Sequence, residues 1–229
     1  MKPDIVVIIP AYNEEQSIGK VINDIPKELV SEVVVVNNNS SDKTPIIAQR
    51  HGATVLDETQ TGYGYACLKG INYIRNKNEH PYIIVFLDGD YSDYPEQMGD
   101  IVKPIIEYDM DMVIGSRKLG LTQKGALLPQ QVFGNWLATT LINLLYGVKF
   151  TDLGPFRAIR FERLIELEMT DRTYGWTAEM QIKAAKMKYK CTEVPVNYRR
   201  RIGFSKITGT LSGSIKAGYK ILWTIFKYV

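Results

Sequence analysis

The sequence predicts an α/β fold, a single domain with a mostly parallel central sheet flanked by helices. Three observations carry that expectation. Short β-branched runs such as "DIVVII" (residues 4–9) and "EVVVV" (residues 32–36) lack polar alternation, the pattern of strands buried on both faces. Segments with helical spacing lie between such runs, so strand and helix alternate through the first half. No linker, low-complexity tract or internal repeat divides the 229 residues, enough chain for one sizeable core.

The first strand, residues 4–9, is expected to end at Pro10, and residues 14–25 have helical spacing. The second strand is 32–36. A helix over 41–50 follows, with Ser41 or Asp42 as its cap and Pro45 in its first turn. A short strand over 54–56, a helix over 65–76, a strand over 82–87, a helix over 95–108 and a strand over 112–116 complete the alternating half. The second half is less regular. It reads as a long apolar helix over 127–146, a strand over 155–160, a short helix over 161–168, a helix over 177–186, a last strand over 193–198 and an amphipathic helix over 212–228. Open α/β sheets bind ligands at the carboxyl ends of their strands, so the first half is expected to bind there.

A net charge of +3 argues against a nucleic-acid partner. The charge is unevenly placed. From Pro195 to Val229 there are seven basic residues and no acidic one. That reads either as a solvated face or as a surface for an anionic partner or a membrane. Cys67 and Cys191 are too few and too isolated for a disulfide framework or a zinc site. No signal peptide is read at the start, and no apolar run reaches the roughly 18–20 residues that span a bilayer. The expected location is therefore cytoplasmic, with reduced thiols.

The chemistry starts at "IIVFLDGDYSDYP", residues 83–95, where a buried strand runs into Asp88 and Asp90. Gly89 permits the tight turn between them. The pair reads either as a plain acidic turn or as hard oxygen ligands for Mg²⁺ or Mn²⁺. Its company favours the second. "IIPAYNEEQSI" follows strand one, "VVVVNNNSSDKT" strand two and "VIGSRK" strand five, and "TGYGYACLKG" opens the third helix.

Together these motifs resemble the inverting glycosyltransferases of family 2, over almost the whole chain and in the same order. "FTDLGPFRAIR", "YGWTAEMQIKAAK" and "EVPVNYRRRIGFSK" look like the polyprenyl-phosphate branch, which includes dolichyl-phosphate mannose synthase. The resemblance implies a GT-A fold, a single Rossmann-like domain. Residues 1–118 would be its nucleotide-sugar and metal-binding half and 119–229 its acceptor half. It implies a hexosyltransferase moving sugar from a UDP-glucose- or GDP-mannose-type donor to a polyprenyl phosphate, with Mg²⁺ or Mn²⁺.

The residue roles it implies are as follows. Pro10, Ala11, Tyr12 and Glu14 match the nucleotide loop. Asn38 falls where the family usually has an aspartate touching the base; asparagine also donates, which leaves the base open. Gly62, Tyr63 and Gly64 precede a helix whose amides would face the donor. Asp88 and Asp90 would hold the metal and, with Gly89, the diphosphate. Some relatives place a glutamine ligand where this chain has Ser92, with Asp93 beside it. Asp152 stands at the position of the catalytic base. Arg117, Arg200, Arg201 and Lys206 would bind phosphate groups, and Trp176 and Glu179 match the acceptor-side helix. Local alternatives stay open: Glu14 as a helix-start acid, Trp176 as a core aromatic, and the arginine run as a solvated face.

Two segments have amphipathic character. "VFGNWLATTLINLLY" (132–146) is apolar around most of its surface. "IKAGYKILWTIFKYV" (215–229) sets Ile215, Tyr219, Leu222 and Phe226 on one stripe, with Lys216, Lys220 and Lys227 on another face. Such a helix either docks on the protein's own core or lies in a bilayer interface. A peripheral position on the inner face of the membrane, or a membrane partner subunit, is therefore an alternative to free cytoplasmic location. Two other functions compete: the same reaction on a soluble glycan or protein, and a non-catalytic nucleotide-sugar-binding subunit, which the triple asparagine at 37–39 invites.

Overall fold

A computed structural model describes residues 4–203 and 211–229. Seven strands form one sheet in the order β3-β2-β1-β4-β6-β5-β7. The alternating half supplies β1 (Ile5–Ala11), α1 (Ile18–Asp24), β2 (Glu32–Asn37), α2 (Thr44–Arg50), β3 (Thr54–Asp57), α3 (Tyr63–Arg75), β4 (Ile83–Phe86), α4 (Met98–Glu107) and β5 (Met112–Ser116). Then come α5 (Pro129–Tyr146), β6 (Arg157–Arg160), α6 (Phe161–Glu166), α7 (Trp176–Lys186), β7 (Cys191–Pro195) and α8 (Leu211–Lys227). Among the described residues every strand pairing is parallel except those of β6, which runs antiparallel to β4 and β5.

The apolar runs are strands because both sheet faces are covered. Alternate residues of β1 enter different cores. Val6 and Ile8 join α3, α5, α6, α7 and α8, whereas Ile5, Val7 and Ile9 join α1, α2 and α4. Burial of this kind contributes roughly 1.5–3 kcal/mol per large aliphatic side chain.

Pro10 does not end the first strand. β1 continues to Ala11, with Pro10 opposite Val36 of β2. The exception follows from ladder geometry. Ile8 faces β4, its carbonyl accepting from Leu87 N, so Pro10 faces the same way. The β1–β4 pairing has already ended at Ile8 and Phe86, and no ladder partner there needs the missing N–H. Near the second cap, Lys43 takes the N-cap position of α2, while Asp42 accepts from Thr44 N at 2.9 Å. Pro45 lies in the first turn as expected.

The order of connections places a switch point between β1 and β4. The chain steps outward from β1 to β2 to β3, then crosses back over the sheet to β4. The loops leaving β1 and β4 therefore part in opposite directions, opening a crevice at their carboxyl ends.

Trp176 and Glu179, expected on the acceptor side, lie instead in the core. Trp176 is buried and meets Phe86 edge-on at 6.0 Å. Glu179 is fully buried and anchors the end of α8. Its carboxylate accepts from Thr170 N and Oγ1, Asp171 N and the Tyr228 hydroxyl, and pairs with Lys183 at 2.9 Å. Burial alone would raise its pKa, but these donors outweigh burial and hold it at about 2. A depressed folded pKa stabilises the protein above the unfolded value of about 4.3, and that stability is lost as pH falls towards 2. Glu179→Gln would set an amide N–H₂ against a shell made entirely of donors. We expect it to cost about 1.5–3 kcal/mol at neutral pH and to lose less stability than the parent between pH 5 and 2, read by thermal unfolding across pH.

Candidate active site

A cavity of about 190 Å³ occupies the crevice. Pro10, Ala11, Tyr12 and Glu14 from the exit of β1 line it, with Asn38 after β2, Gly62 at the start of α3, Asp88, Gly89 and Asp90 after β4, and Arg201 beyond β7. Ten of the expected donor and phosphate residues thus meet at one place. Sharp turns bring them there: Asn13, Asn39 and Tyr91 each take positive φ, a region asparagine tolerates well.

Asn38 explains its own identity. Its amide nitrogen donates to Gln60 O at 2.7 Å and Glu58 O at 3.3 Å, while its side-chain oxygen accepts from Gly62 N at 2.8 Å. An aspartate at this position could serve only the last of these. Asn38 therefore ties the β3–α3 loop to the crevice. Gly64 does not line the cavity. A Cβ there would stand 2.1 Å from Asp171 O, so glycine is needed for close approach of α3 to residues 171–172. The Tyr65 amide of the first turn likewise donates to Arg172 O.

The acidic turn carries unbalanced charge. Burial, then neighbouring Asp90, pushes the Asp88 carboxyl up to about 7, although Tyr63 donates its hydroxyl to Asp88 at 3.1 Å. Ser92, in the place of the glutamine ligand, donates its N–H and hydroxyl to Asp90. Asp93 is buried, and neither carboxylate oxygen has a hydrogen-bond partner among the described residues. Burial first, then Asp88 and Asp90, push its carboxyl well above the usual range.

The three consecutive arginines do separate jobs. Arg199 lies 3.4 Å over the Tyr91 ring and 4.2 Å over Tyr94, donating to the carbonyls of Tyr91 and Asp93. It clamps the acidic turn. Arg200 is turned away and donates to Lys124 O at 2.9 Å. Arg201 reaches Glu14 at 2.9 Å and Asp90 at 3.2 Å. Lys206 lies outside the described residues.

Arg117 and Asp152 form a second centre. The guanidinium donates from Nε and Nη2 to the two carboxylate oxygens at 2.8 and 2.6 Å, and Arg117 N adds a third bond. Burial works against the Arg117 charge, but Asp152 more than offsets it and raises the pKa. The turn bearing Asp152 is fixed from several sides. Glu193 accepts from Thr151 N and Asp152 N, Gln181 donates to Asp152 O, and Asn135 bridges Thr151 O and Leu153 N. The fully buried Arg157 donates to the carbonyls of Leu153, Gly154 and Thr177. Burial lowers its pKa to about 10.

Above this pair lies a larger cavity, about 810 Å³. Arg117 and Asp152 line it together with Val132 and Trp136 of α5, Ala217 and Ile221 of α8, and the 118–127 loop.

An acid-lined crevice and an arginine-bearing trough thus lie at the same edge of the sheet. The sequence model of "Glycosyl transferase family 2" matches residues 6–167. This chain belongs to that family. An uncharacterized glycosyltransferase of Mycobacterium tuberculosis is 34% identical over 218 residues, 93% of this chain and 94% of that protein. A dolichyl-phosphate hexose transferase of Haloferax volcanii is 33% identical over 215 residues, 92% of this chain and 90% of its own length. Among solved structures, glucosyl-3-phosphoglycerate synthase of M. tuberculosis with Mn²⁺, uridine diphosphate and phosphoglyceric acid matches with a TM-score of 0.77 at 22% identity. The match covers 99% of this chain and 78% of that one. The fold is thus that of the GT-A glycosyltransferases, and the protein is a glycosyltransferase.

Sequence reasoning missed several residues of this family 2 site. Tyr63 reads in "TGYGY" only for its place at the start of the helix, not for the hydroxyl it gives to Asp88. Tyr174 opens the "YGWTAEMQIKAAK" motif and lines the smaller cavity, a role the sequence reading does not assign to it. Glu193, Gln181 and Asn135 act on the Asp152 turn from distant positions. Asn38→Asp would lose both donor bonds and set a carboxylate against two carbonyls. We expect a loss of about 1–3 kcal/mol, a drop of several degrees in Tm by calorimetry.

Proposed function

We propose that this glycosyltransferase moves a hexose, with inversion, from a nucleotide-diphosphate sugar to a polyprenyl phosphate, with Mg²⁺ or Mn²⁺ as cofactor. The observation that carries the acceptor reading is the larger cavity. A guanidinium lies on its lining, and its walls continue into two helices with outward apolar faces. On α5 these are Val132, Phe133 and Trp136; on α8 they are Ile215, Tyr219, Trp223 and Phe226. The outward stripe of α8 includes Trp223 in place of the expected Leu222, which packs against the core. Lys216 and Lys227 are exposed on the same helix, a combination suited to an anionic bilayer interface. No helix among the described residues is long and apolar enough to cross a membrane. The chain would therefore meet its lipid from the side, as a peripheral protein. The name of the Haloferax relative accords with a lipid-phosphate acceptor.

On the donor side, residues 10–14 and the loop held by Asn38 would enclose the nucleotide. Asp88 and Asp90 fit a divalent cation: they are hard oxygen donors, the Asp88 carboxyl is strained upward by burial and by Asp90, and the Arg201 guanidinium stands in for a cation beside Asp90. No cluster of three His, Cys, Asp or Glu able to hold a metal occurs among the described residues, so diphosphate and water would complete the coordination. When bound, the cation would offset negative charge on the departing nucleoside diphosphate.

The acceptor phosphate would dock on Arg117, whose fork suits a phosphate. Its oxygen bonds to the anomeric carbon while the bond from that carbon to the diphosphate oxygen breaks on the opposite face. Asp152 serves this reading as the holder of Arg117 rather than as the base. Both its oxygens face the guanidinium, and a phosphate largely ionised near neutrality needs little proton removal. Asn38 lends no weight to a non-catalytic subunit, since its amide orders the loop.

In detergent with Mn²⁺, labelled sugar from UDP-glucose or GDP-mannose should enter the lipid fraction with polyprenyl phosphate, and chelator should stop it. Label appearing instead on phosphoglycerate or a soluble glycan would move the acceptor assignment. In flotation, the parent should rise with vesicles containing anionic lipid. Changing Phe133, Trp223 and Phe226 to Ser should reduce the floated fraction at least about tenfold while leaving nucleotide binding intact.

A further inference from the structure

The acidic crevice holds a cation supplied by the chain itself. Arg201 Nη2 donates to Glu14 Oε1 at 2.9 Å, and Nη1 lies 3.2 Å from Asp90 Oδ2. Both carboxylates are at least nine-tenths buried, so each needs a positive or donor partner nearby. We propose that Arg201 is the internal counter-ion of the crevice, holding Asp90 and Glu14 until a divalent cation arrives with a nucleotide diphosphate, and then exchanging Asp90 for the diphosphate. The proposal rests on the metal-dependent donor reading above.

Three observations support exchange by the side chain. The backbone on both sides of Arg201 is tied to the acidic turn: Arg199 N donates to Ser92 O at 2.9 Å, and Ile202 N donates to Asp90 O at 3.0 Å. The Arg199 clamp on Tyr91 and Tyr94 secures the same strap. Arg201 therefore stays beside the crevice and has only its side chain to move. Its Nε is buried with no partner among the described residues, so the guanidinium is not fully satisfied where it sits. Finally, Arg201 lines the smaller cavity itself, within reach of any diphosphate bound there.

Charge makes the consequence directional. A divalent ion entering alone meets a guanidinium already paired with Asp90 and is repelled by it. An ion entering with a diphosphate brings negative oxygens that give Arg201 a new partner. Metal and nucleotide binding are therefore coupled, and the coupling is reciprocal.

The test measures free Mn²⁺ by electron paramagnetic resonance, in titrations with and without saturating UDP or GDP. The parent should bind Mn²⁺ weakly alone and at least about tenfold more tightly with one of the nucleotides. Arg201→Met and Arg201→Gln both remove the charge. Each should bind Mn²⁺ alone about tenfold more tightly than the parent, with little further gain from nucleotide. Arg201→Lys, which keeps the charge, should bind it weakly, as the parent does. If the parent shows the nucleotide gain but neither neutral variant binds Mn²⁺ alone more tightly, Arg201 is not the counter-ion. If the parent binds no Mn²⁺ with either nucleotide, the metal-dependent donor reading fails and the counter-ion role fails with it.

Discussion

Balance of buried charge governs the carboxyl edge of this sheet. Parallel strands all deliver their exits to one side, and the exits of β1 and β4 are acidic. Glu14, Asp90, Asp93 and Asp152 are each buried there, where an unpaired carboxylate is costly. The compensating cations come from elsewhere: Arg117 follows β5, Arg157 opens β6, and Arg199 and Arg201 follow β7. The alternating half and the irregular half therefore share one electrostatic balance across the crevice. Asp93 stands outside it. It has no hydrogen-bond partner among the described residues, and burial, then Asp88 and Asp90, push its carboxyl well above the usual range.

The two arginine–carboxylate pairs differ in rigidity. Arg117 and Asp152 meet through both carboxylate oxygens, and the Asp152 backbone is held by Glu193 and Gln181. Such a pair fixes a guanidinium in place, which suits the proposed docking of an acceptor phosphate in one geometry. Arg201 instead spans two carboxylates, with its Nε lacking a partner among the described residues. One pair is built to persist and the other to be exchanged.

The last helix docks on the protein's own core and still leaves an apolar face outward. Ala217 and Ile225 are buried, and the Tyr228 hydroxyl is bound to Glu179, so α8 is anchored on the protein core. Ile215, Tyr219, Trp223 and Phe226 still face outward. A helix held along one side presents a fixed apolar face beside the larger cavity, and a lipid tail entering there would leave water only once.

By itself the sequence determined the strands, the helices and the edge of the sheet that carries the chemistry. Continuous apolar runs and helical spacing are properties of neighbouring residues, and they place "DGD" and "PAYNEE" at strand ends without reference to the rest of the chain. The family resemblance rested on the same local motifs. Tertiary structure alone decided which side chains meet. Trp176 and Glu179 sit on a helix whose pattern shows no preference between core and rim, and packing sent both inward. Pro10 stays within its strand because β4 stops two residues short of it. The arginine run reads as one basic patch, yet its members take separate partners, Arg199 and Arg201 at the acidic turn and Arg200 at Lys124 O. Arg201 and Glu14 are 187 positions apart, and no local pattern encodes their pairing, because an ion pair depends on distance in space and not along the chain.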